Sequence, residues 1–179
     1  VGREEPWSTD FDLYYAPLDG SQEPRCLTED NPAWDTHPVF SPDGKTLAYL
    51  AMARPGYESD QFRIVLQEWP AGRKRMLNEG WDRSATSIAW SPDGSQILAV
   101  AENTGQDSLF AIDVKDGKTR TIIKTGTVHE FDVVGDRIVY SLSTIAHPAE
   151  LFTVSLSGSQ RQTQLADGGR ANQIGRAHV

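Results

Sequence analysis

The sequence predicts an all-β fold, a partial β-propeller of about three and a half four-stranded antiparallel blades, on three observations. The segment His37-Pro-Val-Phe-Ser-Pro-Asp-Gly-Lys-Thr-Leu-Ala-Tyr49 returns as Ser87-Ile-Ala-Trp-Ser-Pro-Asp-Gly-Ser-Gln-Ile-Leu-Ala99, with Ser41 and Ser91 fifty residues apart. A weaker copy follows, in which Phe131, Gly135 and Ile138 stand where Trp90, Gly94 and Ile97 stood. Between these landmarks, runs of β-branched and aromatic residues alternate with glycine-bearing turns, as short strands require. Self-similarity at about 40–50 residues built from such pieces marks a propeller. At that repeat length 179 residues are too few to close a ring, so the chain is expected to be part of something larger.

Taken in order, residues 11–18 and 24–28 read as the last two strands of a blade whose first half is missing. The second blade is expected at 37–40, 46–53, 62–69 and 73–77, and the third at 86–90, 96–101, 108–114 and 119–124. The fourth is expected at 129–133, 137–142, 150–156 and 161–166. In each Ser-Pro-Asp-Gly turn, Pro42 or Pro92 presets φ near −65° and Gly44 or Gly94 supplies the positive φ that returns the chain. Ser41 and Ser91 accept a local backbone bond, so they are turn residues and not nucleophiles. The partial propeller is assigned to residues 1–173. Residues 174–179, Ile-Gly-Arg-Ala-His-Val, match what a common sequencing adapter encodes and are expected to be an assembly artefact, the alternative being a genuine terminus.

Composition narrows the function. Net charge is −8, which gives no basic stripe for nucleic acid. No apolar run approaches the length of a membrane span, and Cys26 alone can make neither an intrachain disulfide nor a multi-cysteine metal site. A single cysteine leaves the compartment undecided. There is no Gly-x-Ser-x-Gly elbow, His-Glu-x-x-His helix, phosphate loop or dinucleotide fingerprint, so no catalytic residue, metal or cofactor is assigned. His37, His129 and His147 are isolated. His129 and Glu130, as strand neighbours, are expected to point to opposite faces, which is wrong for a shared metal.

A four-stranded meander sends its second-to-third connections to one end. Residues 53–61, 102–107 and 143–148 are therefore expected to emerge together, opposite both Ser-Pro-Asp-Gly turns. The loop Ala53-Arg-Pro-Gly-Tyr-Glu-Ser-Asp-Gln-Phe-Arg63 concentrates two cations, two carboxylates and an aromatic. Either Arg54 or Arg63 pairs with Glu58 or Asp60 to stiffen it, or Arg54, Tyr57 and Glu58 present a polar surface to a partner domain or a substrate amine. Glu102 belongs to the same set of loops and carries the same two readings.

These residues carry a resemblance. Val1-Gly-Arg-Glu-Glu-Pro-Trp-Ser-Thr, Asp30-Asn-Pro-Ala-Trp-Asp, the Arg-Pro-Gly-Tyr-Glu loop, Trp81-Asp-Arg-Ser and His147-Pro-Ala-Glu-Leu-Phe-Thr-Val together resemble the propeller domain of prolyl oligopeptidase-family serine peptidases. The branch is that of acylaminoacyl peptidases and dipeptidyl peptidase V-like enzymes. The resemblance implies a propeller that gates short peptide substrates toward a C-terminal α/β-hydrolase domain bearing a Ser-Asp-His triad. No triad position falls within residues 1–173, so the chain alone is expected to be inactive. The alternative is a non-enzymatic interaction propeller of the TolB type, whose turn motif is shared.

Overall fold

The computed structural model describes residues 8–158 and 163–165. A two-stranded piece, β1 (Tyr14–Tyr15) and β2 (Arg25–Cys26), comes first. The second blade is β3 (Asp35–Phe40), β4 (Thr46–Ala51), β5 (Arg63–Glu68) and β6 (Lys74–Met76). The third is β7 (Ala85–Trp90), β8 (Gln96–Glu102), β9 (Asp107–Asp113) and β10 (Thr119–Ile123). The fourth is β11 (Thr127–Val134), β12 (Arg137–Ser143), β13 (Glu150–Ser155) and β14 (Thr163–Gln164). Each blade pairs its strands in chain order, and no helix occurs among the described residues. This is the all-β partial propeller that the repeats predict. The first seven residues of the resemblance, part of the expected last strand and residues 174–179 lie outside the described residues.

Both Ser-Pro-Asp-Gly turns fold identically. Gly44 N–H donates to Ser41 C=O at 2.9 Å with φ 69°, and Gly94 does the same to Ser91 at 2.9 Å with φ 69°. Each serine hydroxyl donates to the turn aspartate, Asp43 at 2.7 Å and Asp93 at 2.6 Å, and accepts from the returning strand at Thr46 N or Gln96 N. The hydroxyls are committed in both directions and buried, so neither is available as a nucleophile. The Ser91 hydrogen bond, aided by Ser95, holds the Asp93 carboxyl down at about 2.

The chain divides into two compact units, one ending at Ile88 and the other beginning at Ala89. In the first, Leu47, Tyr49 and Ala51 on one face of β4 pack with Leu13, with Leu27, Val65 and Trp69 at the margin. In the second, Leu98, Val100, Leu109 and Ala111 of the third blade meet Val128, Ile138, Tyr140 and Val154 of the fourth. Each such large aliphatic side chain contributes roughly 1.5–3 kcal/mol by leaving water. β8 and β9 are buried over five consecutive residues, as strands covered on both faces must be. β12 instead alternates, with Ile138, Tyr140 and Leu142 buried and their neighbours half-exposed, because only one of its faces is covered.

The expectation for His129 and Glu130 is corrected. Val128 pairs with Leu142 and Phe131 with Tyr140, so the two residues together oppose Ser141 in a bulge and both are exposed. The same bulge recurs in β3, where His37 and Pro38 oppose Tyr49. There it removes Pro38, which has no N–H, from the ladder, and His37 turns through φ 52°.

Candidate functional site

In the first unit the connection from β4 to β5 is exposed from Ala53 to Ser59, then buried at Asp60. Arg54-Pro55-Gly56-Tyr57 makes a reverse turn, with Tyr57 N–H on Arg54 C=O at 3.3 Å and Gly56 at φ 71°, the arrangement that Pro followed by Gly favours. A second turn brings Asp60 N–H to Tyr57 C=O at 3.0 Å. Asp60 then closes the loop from inside. Its Oδ2 accepts from Ala53 N at 2.8 Å and Arg54 N at 2.9 Å, and its Oδ1 from Arg54 Nε at 3.0 Å. Arg54 Nη2 adds a bond-length ion contact at 3.0 Å, while Arg63 Nη1 stands off at 3.7 Å. Burial alone would raise this carboxyl, but the backbone N–H of Ala53 and the Arg54 donors outweigh it and hold the group at about 2.

The structure therefore corrects one pairing and keeps another. Asp60, and not Glu58, neutralises the arginines; Glu58 is exposed and forms no ion pair among the described residues. Arg54, although anchored by Asp60, is 63% exposed in its side chain and lies 4.1 Å over the Tyr57 ring, a cation–π contact. Arg54, Tyr57 and Glu58 are thus brought together on a loop with a fixed backbone. Its base is tied to the linkers of the same unit: Gln61 Nε2 donates to Trp81 C=O and Arg83 C=O, and Asn31 Nδ2 to Met52 C=O. Asn31 also grips both oxygens of buried Asp35, whose carboxyl burial pushes up to about 6.

In the second unit Glu102 ends β8 at a hairpin tip, Asn103-Thr104-Gly105-Gln106. Asn103 and Gln106 exchange backbone bonds at 2.6 and 3.3 Å, so the next pair outward, Glu102 opposite Asp107, is of the non-hydrogen-bonded kind that brings side chains closest. Two carboxylates facing each other in this way repel, and the sheet gains nothing from the pair. Asp107 was not singled out from the sequence; the signal was the two-residue turn, which sets 102 against 107. Thr104 and Gly105 have φ 55° and 80°, the turn that suits strand twist but strains a β-branched residue. Thr104→Asn is expected to raise unfolding stability by about 0.5–1 kcal/mol in urea titrations; an unchanged or lower midpoint would contradict this account of the turn.

Gln106 Oε1 accepts from Gly126 N at 2.9 Å, and Gly126 lies against the Ser143 carbonyl, so residues 102–107 and the start of 143–148 share one end of this unit. Near it, His129 Nε2 and Ser143 Oγ are 2.8 Å apart. Among the described residues no group of three or more His, Cys, Asp or Glu side chains could hold a metal ion.

The repeated four-stranded antiparallel meanders define a class, the β-propellers. No protein-family model matches the chain. It is 30% identical over 161 residues to dipeptidyl-peptidase 5 of Porphyromonas gingivalis, covering 89% of this chain and 23% of that protein. Among solved structures, TolB from Acinetobacter baumannii superimposes with a TM-score of 0.70 at 17% identity, covering 92% of this chain and 40% of that one. Acylaminoacyl peptidase from Pyrococcus horikoshii gives 0.67 at 21%, covering 89% and 23%. The resemblance read from the sequence holds: this is a propeller segment similar in sequence to dipeptidyl-peptidase 5 and in fold to an acylaminoacyl peptidase. The chain spans about a quarter of the length of that first relative.

Proposed function

We propose that this segment is the late propeller portion of a serine exopeptidase, bordering the route by which short peptides reach a C-terminal α/β-hydrolase domain. The similarity to dipeptidyl-peptidase 5 carries this reading. In it, the loop 53–61 of the first unit and the loops 102–107 and 143–148 of the second each border that route. Glu58 or Glu102 holds the free amine of the substrate through a charge-assisted hydrogen bond. Two features support that role: Glu58 is left without an ionic partner once Asp60 has taken the arginines, and Glu102 faces a second carboxylate in place of a neutralising cation. Arg54 and Tyr57 frame Glu58 on its rigid loop. The chemistry itself, acyl transfer through a tetrahedral intermediate, belongs to the hydrolase domain.

In the full-length protein, Glu58→Gln and Glu102→Gln are expected to raise KM for free-amine dipeptidyl substrates several-fold, as a charged hydrogen bond is exchanged for a neutral one, and to leave N-blocked substrates nearly unchanged. Equal effects on both substrates would reduce these residues to structural roles. The superposition on TolB favours a second reading, a non-enzymatic interaction propeller. A Gly-x-Ser-x-Gly elbow encoded downstream separates the two, since an interaction propeller has no use for one.

A further inference from the structure

One face of the second blade is hollow. An open cavity of about 310 Å³ lies in the first unit between that face and the Asp30–Asn31 linker, at the root of the 53–61 loop. Its floor is hydrocarbon: Ala51, Met52, Val65 and Met76. Its polar wall is lopsided in charge. Lys74 pairs with Asp30, so these two cancel. Arg63 is paired more loosely, because Asp60 already holds Arg54 and two backbone N–H groups and stands 3.7 Å from Arg63 Nη1, beyond hydrogen-bond distance. That nitrogen is buried without a hydrogen bond, and the remainder of the guanidinium is left to the cavity.

Tyr49 supplies a second donor to the cavity. It is 3% exposed and lines the cavity, yet no described residue hydrogen-bonds its hydroxyl. Burial, with the Asp35 and Asp30 carboxylates adding to it, pushes that hydroxyl well above its ordinary range, so it stays a neutral donor at any physiological pH. Tyr49 pairs with Val65 and Ala51 with Arg63, which places Tyr49 and Arg63 as diagonal neighbours on one sheet face. An O–H donor and a guanidinium with unfilled hydrogen-bond donors at that spacing, above an apolar floor, are complementary to a planar anion with a hydrocarbon body.

We infer that this cavity binds a small amphipathic monocarboxylate, its carboxylate between Arg63 and the Tyr49 hydroxyl and its apolar body on Met52, Val65 and Met76. The assignment does not rest on the peptidase reading. The chain supplies its own reporter, since its only two methionines both line the cavity. With methyl-labelled methionine in the 179-residue chain, 3-phenylpropionate is expected to shift both methyl resonances saturably, and 3-phenylpropionamide to shift neither. Arg63→Gln should weaken binding about tenfold and Tyr49→Phe about threefold, with Arg63→Lys retaining most of it. Should Arg63→Gln fail to fold, Tyr49→Phe, which keeps the ring packing, carries the test. Unmoved methyl resonances, equal binding of the amide, or unchanged affinity in the Tyr49→Phe protein would overturn the assignment.

Discussion

Asp60→Ala is expected to be among the most damaging single changes in the first unit, lowering unfolding stability by about 3 kcal/mol. The carboxylate is 1% exposed and holds two backbone N–H groups and the Arg54 fork, so its loss leaves several donors unpaired at once. Exposed Glu58, four residues from Arg54 in the same loop, should give less than about 0.5 kcal/mol when changed to Gln. The pH dependence has a definite sign. Because the folded carboxyl titrates at about 2, below the 3.8 of an ordinary aspartate, its contribution is present above about pH 4 and fades as pH falls toward 2. With solvent just beyond this thin loop screening the pair, that contribution is on the order of 1–2 kcal/mol. Urea denaturation of wild type and Asp60→Asn between pH 2 and 7 checks it: the two curves should converge at the acid end. A gap that persists at pH 2, or an Asp60→Ala protein as stable as wild type, would remove Asp60 from its central place in the loop.

That loop also shows where sequence reading reaches its limit. The charges in 53–63 identify it as unusual, but choosing between Glu58 and Asp60 as the acceptor requires the turn geometry. Pro55-Gly56 reverses the chain, and the following turn at Tyr57–Asp60 carries Asp60 inward and leaves Glu58 outside. Strand positions were legible because each is bounded by turn chemistry that acts locally, as in Ser41–Gly44 and Ser91–Gly94. The bulges at His37-Pro38 and His129-Glu130 were not, since a bulge is a property of two paired strands and only Pro38 hinted at one. The cavity beneath Tyr49 was invisible for the same reason: it is made by residues far apart in sequence whose local patterns are those of ordinary strands.

The fourth blade carries a sequence change that becomes meaningful only through register. Leu98 and Val100, paired with Ala111 and Leu109, form the third-blade face that packs in the second-unit core. Their counterparts one repeat later are Val139 and Ser141, paired with Thr153 and Leu151. Arg137 Nε donates to Thr153 Oγ1 at 3.0 Å on that side. Ser141 on β12 and Thr153 on β13 thus stand where Val100 and Ala111 stood, and Ser141, on the half-covered face of β12, reduces the apolar area left against water. The alternating burial of β12 and this substitution pattern are two expressions of one condition.

Gly126→Ala is expected to cost the second unit about 3 kcal/mol, the sum of two separable effects. The residue sits at φ 89°, which an L-residue adopts only at a cost of about 1–2 kcal/mol. An added Cβ would also come within 2.8 Å of the Ser143 carbonyl oxygen and 2.9 Å of Leu142 Cδ1. The leucine methyl can yield; the carbonyl belongs to β12 and cannot, so strain of about 1–3 kcal/mol follows. Gly105 provides the control, because its φ is a similar 80° and a Cβ there would meet nothing within 4 Å. Gly105→Ala should therefore show only the dihedral cost, and the difference between the two variants measures the clash. The consequence extends to the hairpin tip, since Gly126 N–H is the donor that holds the Gln106 side chain. Faster amide exchange at Asn103 and Gln106 should accompany the loss in Gly126→Ala and be absent in a Leu142→Ala protein that has only lost packing. Equal destabilisation by Gly126→Ala and Gly105→Ala would mean that the linker can move away from β12, and that the close approach does not position the tip.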